Sequence, residues 1–444
     1  MSNQLTSRVD KLDIISASGE ATDLSGGFLG FRYYESLFSP HITAYLTVFD
    51  TGSSVKSSTD KQERPADIVS AIPIKAQGKE LLNIVLCHKT GRLSFGANNA
   101  TDYGLRVVQA STETQKSKTM VEISLVSQVA EKNKTSVLSG AYGGLISNSA
   151  SKIFNSLLGS FPSRSQLIDK TKNSLDFKGS QIERPFNKLI DLATQSISSK
   201  GKGSPGYFIF ETQDGLNFKS AQEMANAEHK FTYEVGQAQV KRGDGDFKIV
   251  QYQQKSEFNL LKSYTCGSLG SLFCQWSPLT GEYKEYVFKP DENTFETMGS
   301  EGFPTTASLS NTSFIDSETI ANYRTYAFIT NDGNSKIGLS TERNNDPFSW
   351  AALSSMRYNS LFNQAIDIIV PMNLQLRVGQ TIRCEFPRTS KDNPEQGVLD
   401  QSRSGKYLIL HLGHHFTNNP QTGSTTHMTI IRDTNGLHKG AGEE

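Results

Sequence analysis

Apolar and polar residues alternate at every second position along most of this chain, the period of a β-strand with one buried face. Ile42, Ala44, Leu46 and Val48 form one stripe, with Thr43, Tyr45, Thr47 and Phe49 opposite. The same period runs through Phe362 to Asp433. There Ile366, Ile368 and Val370 share a face, Ile382, Cys384 and Phe386 share another, and Leu408, Leu410 and Leu412 a third. Met428 and Ile430 form a fourth stripe, with His427, Thr429 and Ile431 opposite. Val378, Gly379 and Gln380 supply turn chemistry between the first two runs. Four such runs predict an antiparallel meander with one apolar face, suited to a small barrel or half a sandwich.

Residues 1–130 carry the same alternation, with strands expected from Leu12, at Phe28–Leu37, Ile42–Phe49, Ile72–Ile74, Leu81–Leu86, Leu105–Val108 and Val121–Val126. They predict a first antiparallel β-barrel. From 131 to 235 the period changes. Ile153, Phe154, Leu157 and Leu158 cluster on one side of a helix. Pro185 fits a first helical turn, and Phe186, Leu189, Ile190, Ala193 and Ile197 follow as a buried stripe. The stretch SSKGKGSPG reads as a flexible linker, and Asp214 with Gly215 between two strand-like runs signals a hairpin. This segment predicts a small α/β domain. Residues 236–290 return to strands and, with 362–435, predict a second, discontinuous barrel. Residues 291–361 read as an insertion with a strand at Tyr323–Ile329 and a helix at 347–361, capped by Asp346 with Pro347 in its first turn. Residues 436–444 read as a disordered tail. The fold class expected is therefore mainly β with an α+β part.

Composition narrows the function. The 444 residues carry 45 basic and 45 acidic side chains, so a formal net charge of +0 argues against a nucleic-acid binder. Charged residues make up 20% and hydrophobic residues 36%, a β-rich, loop-rich balance. The first residues hold no apolar core of a secretory signal, and no run is long enough to span a bilayer. Cys87, Cys266, Cys274 and Cys384 are scattered and read as free thiols, with Cys266 and Cys274 the pair that a hairpin would bring within reach.

Catalytic motifs are missing from the sequence: there is no G-x-S-x-G, H-E-x-x-H or Walker loop. His411, His414 and His415 form the densest cluster of potential ligands. Strand parity turns 414 away from the other two, so neither a metal nor a cofactor is expected; His427 would lie across the hairpin. Cys87 and His88 are strand neighbours and face apart. The outward strand faces carry more information. Thr43, Tyr45 and Thr47 on one strand, and Thr381, Arg383 and Glu385 on another, are mixed surfaces suited to flat contacts between subunits.

Several stretches together resemble the central baseplate hub of contractile-tailed bacteriophages. They are YYESLFSPHITAYLTVFDTG, PFNKLIDLATQSI, GYFIFETQDGLNFKS, RYNSLFNQAIDIIVPMNLQLRVGQTIRCEFP, GKYLILHLGHHF and MTIIRDTNG, in the family's order. The hub part of the type VI secretion spike is similar. The resemblance implies a non-enzymatic homotrimer in which two tube-like barrels per chain give a pseudo-sixfold ring. That ring would join the sixfold tail tube to the threefold central spike, among the surrounding baseplate proteins. It implies a place in the virion tail after assembly in the host cytoplasm, no membrane insertion, and no nucleic-acid contact beyond DNA passing through the channel. A β-rich virion protein that binds carbohydrate is the alternative.

Overall fold

The computed structural model describes residues 7–16, 21–50, 55–57, 64–66, 80–96, 103–115, 118–159, 161, 164–201, 203–235, 247–256, 261, 265, 270–278, 281–288, 325–329, 350–387, 399–400, 402–418 and 423–433. The expected strand at Ile72–Ile74, the Asp346 cap, the Cys266 partner, most of 291–345 and the tail lie outside them.

The protein is mainly β. Its first part holds β1 (Arg8–Ile15), β2 (Ala21–Asp23), β3 (Phe28–Ser36), β4 (Thr43–Asp50), β5 (Val55–Ser57), β6 (Arg64–Ala66), β7 (Leu81–His88), β8 (Gly91–Phe95), β9 (Leu105–Gln115) and β10 (Lys118–Ser127). Helix α1 (Gln128–Thr135) leads to β11 (Ala141–Tyr142), α2 (Ile146–Leu158), β12 (Ser165–Ile168) and β13 (Phe177–Lys178). Then come α3 (Pro185–Gln195), β14 (Tyr207–Thr212), β15 (Gly215–Ser220), α4 (Ala221–Asn226) and β16 (Thr232–Val235). The last part holds β17 (Lys248–Ile249), β18 (Gln251–Ser256), β19 (Ser271–Trp276), β20 (Tyr283–Phe288), β21 (Thr325–Ile329), α5 (Ala351–Ser360), β22 (Gln364–Pro371), β23 (Thr381–Glu385), β24 (Gly405–Thr417) and β25 (Thr425–Arg432).

A 17-stranded sheet runs through both ends of the chain. In the first half, antiparallel ladders run from β2 through β1, β7, β9, β10 and β4 to β3. In the second half, β24 pairs with β25, β25 with β22, and β22 with β18. Val250, between β17 and β18, donates to Ile369 O at 2.8 Å. β17 pairs with β16, β16 with β23, and β23 with β24, so these ladders lead back to their starting strand. β3 and β24 join the halves, from His411 against Ser36 to Thr417 against Gly30.

One extra residue makes that junction. Ile409 stands opposite Ile430 and His411 opposite Thr429, leaving Leu410 as a bulge. A bulge bends its strand and resets which residues face the core. Leu408, Leu410 and Leu412 therefore do not share a face, contrary to plain alternation. Ile409 and Leu412 take the face of Ile430 and Met428, while Leu408 aligns with Ile431 on the other. At the bulge β24 changes partner along one edge: Gly379 N donates to Ile409 O and Leu37 N to Leu410 O, each at 3.0 Å.

Two apolar cores result. Leu12, Phe31, Leu46, Leu86 and Ile123 lie in the first with Phe154, Leu157, Phe186 and Leu189 of the helices. Ile366, Ile368, Cys384, Tyr407 and Ile430 lie in the second. β14 is buried on both faces. Tyr207 and Ile209 enter the first core, and Phe208 and Phe210 the second, so this strand is the wall between them. Phe416, at the far end of β24, packs in the first core.

Several expectations change. β19 pairs with β20 and with β21 in a three-stranded sheet of their own, not with the 362–433 strands, and β16 joins the second half. Alternation identifies a strand but carries no record of its partner. In α3, Ile190 is 47% exposed and Leu192 is buried in its place. α5 spans Ala351–Ser360, and residues 347–349 of the expected helix lie outside the described residues. Ser198 and Ser204 are buried and bonded to each other, so the Gly/Ser/Lys stretch is packed there rather than flexible. Gly215 is required where it stands: a Cβ would lie 2.2 Å from Ser165 O of the parallel neighbour β12.

Candidate functional site

The seam between β3 and β24 has two faces with different chemistry, because successive strand residues point to opposite sides. On the inward face Tyr33 stacks against His414, with ring centres 6.0 Å apart. His414 is buried, its Nδ1 lies 3.0 Å from Thr426 Oγ1, and its Nε2 has no hydrogen-bond partner. Burial first, then the charges of Arg377 and neighbouring histidines, lower its pKa to about 3. This imidazole is neutral.

Beside it, Tyr33 Oη donates to Glu35 Oε1 at 2.7 Å. The same carboxylate accepts Gln213 N at 2.8 Å and, through Oε2, Val378 N at 3.1 Å. Glu35 thus ties the first half to the β14–β15 hairpin and to the turn before β23. Burial pushes its carboxyl above the ordinary value. A second buried carboxylate, Glu211 of β14, accepts Tyr103 Oη at 2.6 Å, Ile42 N at 3.2 Å and Arg164 Nη2 at 2.7 Å. Arg377 adds a two-pronged pair to Asp214 at 3.0 and 3.1 Å.

On the outward face an aromatic chain crosses the seam. His427 stacks on His415 with ring centres 4.0 Å apart. His415 meets Tyr34 edge-on at 5.5 Å, and Tyr34 meets Tyr45 edge-on at 6.1 Å. The Arg32 guanidinium lies 5.4 Å from the Tyr45 ring centre and pairs with Glu122 of β10. Burial first, with His427 and Arg32 adding to it, lowers His415 to about 4, and burial lowers His427. Gly413 stands opposite both Tyr34 and His427. A Cβ there would come within 2.9 Å of the Tyr34 ring, so the glycine lets that ring lie flat over β24.

The expected surface residues fall in separate places. Thr43, Tyr45 and Thr47 stand on β4 at the end of the aromatic chain, Thr43 opposite Tyr34 and Tyr45 opposite Arg32. Arg383 and Glu385 stand on β23, paired with each other at 3.1 Å. β23 and β3 lie end to end along one edge of β24, so the two sets do not form one patch. Thr381 is buried and donates to Ala227 O and Glu228 O at 3.0 Å each, so it belongs to no surface of this chain. Sequence reasoning separated His414 from its neighbours correctly but missed Tyr34, Gly413 and the His415–His427 stack. The place of Tyr34 over Gly413 and against His415 depends on a pairing between β3 and β24 that local pattern does not encode, whereas His427 reaches His415 across the β24–β25 hairpin. Among the described residues no three His, Cys, Asp or Glu side chains form a metal-holding group, and no helix is long and apolar enough to cross a membrane.

No family model matches the sequence, and no curated protein matches it. Solved structures do. A tail protein from Neisseria meningitidis MC58 matches over 96% of this chain and 97% of its own, with 10% identity and a TM-score of 0.50. The 43 kDa tail protein of prophage MuSo2 from Shewanella oneidensis matches over 95% and 98%, with 11% identity and a TM-score of 0.50. This chain shares the fold of these two proteins. Both matches run essentially end to end, so the shared arrangement takes in both halves of the sheet and the α/β part between them. Within that fold, the buried carboxylates Glu35 and Glu211 hold the parts together.

Proposed function

We propose that this chain is a structural hub of a phage-type tail, a homotrimer adapting a sixfold tail tube to a threefold central spike within the baseplate of a virion. The carrying observation is the end-to-end fold match to tail proteins, combined with a sheet whose two halves sit side by side in one chain. Two tube-like barrels per chain would give three chains six near-equivalent positions. The circuit of ladders in the second half and the curled run from β2 to β3 in the first support that reading. The role is structural rather than catalytic. The surfaces proposed for neighbours are the β4 face at Thr43, Tyr45 and Thr47, and the β23 face at Arg383 and Glu385. Tyr45 is 37% exposed, and its ring is already held by Tyr34 and Arg32, so little freedom is lost on contact.

Mass in solution tests the reading. A purified chain at micromolar concentration is expected at three times the mass of one copy, and its image as a ring with a central hole. A stable monomer sinks the hub assignment.

A further inference from the structure

On the outward face of the second half a groove of about 390 Å³ crosses the strands, outside anything the hub role requires. It follows the register from Gln251 to Ile369, His427, Gly413 and Tyr34, one residue on each of five neighbouring strands. Strands stand ~4.8 Å apart, so the groove extends roughly 19 Å. Its length and its floor decide what it can hold. The floor strands are laddered to one another, so a peptide strand crossing them has no free main-chain edge to pair with. A ligand here must be read by side chains.

Those side chains set several neutral donors and acceptors into a mostly apolar lining. Gln251 and Gln253 are exposed amides at one end. Asp367 accepts Thr429 Oγ1 at 2.7 Å and pairs with Lys255 at 2.8 Å, so its charge is already matched. His427 is kept neutral by burial. Tyr34 closes the other end with a ring braced edge-on by Tyr45 and His415. An elongated, uncharged, hydroxyl-rich molecule with an apolar ring face fits this set: each amide both donates and accepts, and the tyrosine ring packs against C–H groups. We propose that this groove binds a neutral oligosaccharide, with hydroxyls bridged by Gln251, Gln253 and Thr429 and one sugar face against Tyr34.

The test titrates the intact protein, in whatever oligomer it forms, against a panel of neutral tetrasaccharides that includes chitotetraose and maltotetraose, by calorimetry. Saturable binding of at least one member is expected. The Gln251→Ala/Gln253→Ala double variant, whose sites are exposed and whose fold is checked by circular dichroism, is expected to bind roughly tenfold more weakly. No saturable binding across the panel overturns the proposal. So does unchanged binding by the double variant, or tighter binding of sialyllactose or a sulfated tetrasaccharide, titrated alongside, than of any neutral member. None of these results bears on the mass measurement that tests the hub role.

Discussion

The inward and outward faces of the β3–β24 seam are built from alternate residues of the same two strands, yet they do opposite work. Inward, Tyr33, Glu35 and His414 are buried, and each polar group that binds there ties down another part of the chain. Outward, Arg32, Tyr34, His415 and Gly413 make contacts among themselves and leave a groove. A shift of one residue would exchange the two sets. The lesson is that stability and recognition are separated here by strand parity, and the Leu410 bulge is where one surplus residue is set aside so that parity holds.

Deleting Leu410 is the most severe change at this seam. It would leave Ile409 opposite Ile430 and His411 opposite Thr429, so each face keeps its residues, but it removes the bend at which β24 changes partner and the carbonyl that accepts Leu37 N. Loss of soluble folded protein is expected in expression and circular dichroism, and a folded, monodisperse deletion variant would refute the bulge account. Next in size is Glu211→Ala. It strands Arg164, whose side chain is 8% exposed, and leaves Tyr103 and Ile42 N without their acceptor. Removing one partner of a buried pair costs about 3–5 kcal/mol, visible as a lower urea midpoint with an unchanged slope.

Acid sharpens the comparison from another side. His414 ionises at about 3 when folded and near 6.5 ordinarily, so the unfolded chain binds more protons between those values. Stability present above pH 6.5 is therefore lost as pH falls through that window, by up to ~1.4 kcal/mol per pH unit for this group. Glu35 acts in the opposite sense. Its carboxyl is raised by burial, so its contribution is full below its ordinary value of 4.5 and is lost as pH rises through the folded value. Denaturant titrations at successive pH values should show a shallower acid limb in His414→Gln than in the parent; equal limbs would remove His414 from the argument. The smallest effect belongs to the outward face. Arg32 and Glu122 are 44% and 41% exposed, so Arg32→Ala should change stability by less than about 1 kcal/mol. A larger loss in thermal melts would mean that the outward face also carries the fold.

Much of the architecture is legible in the residues. Alternation located β4, β10, β22, β23 and β25, and apolar spacing located α2 and α3. What local pattern could not supply is partnership. It placed β19 and β20 in the second half, where they do not pair, and left β16 in the α/β part. Thr381 read as outward by parity, and so it is, but the end of α4 covers it. The bulge was equally hidden: LILHL is unbroken in composition, and the step in register exists only against β25.

The partner change at Leu410 also sets a timetable. β3 is among the first strands to be synthesised and β24 among the last, yet Ser36 and His411 pair directly. The edge of β3 that faces β24 stays open until residues 411–417 have left the ribosome. An open strand edge of that kind invites pairing with other chains. Chains that stop before residue 405 would keep the first half's residues and lose their cover, and nascent or truncated products should be the species that aggregate. A strand made late thus seals the edge of one made early.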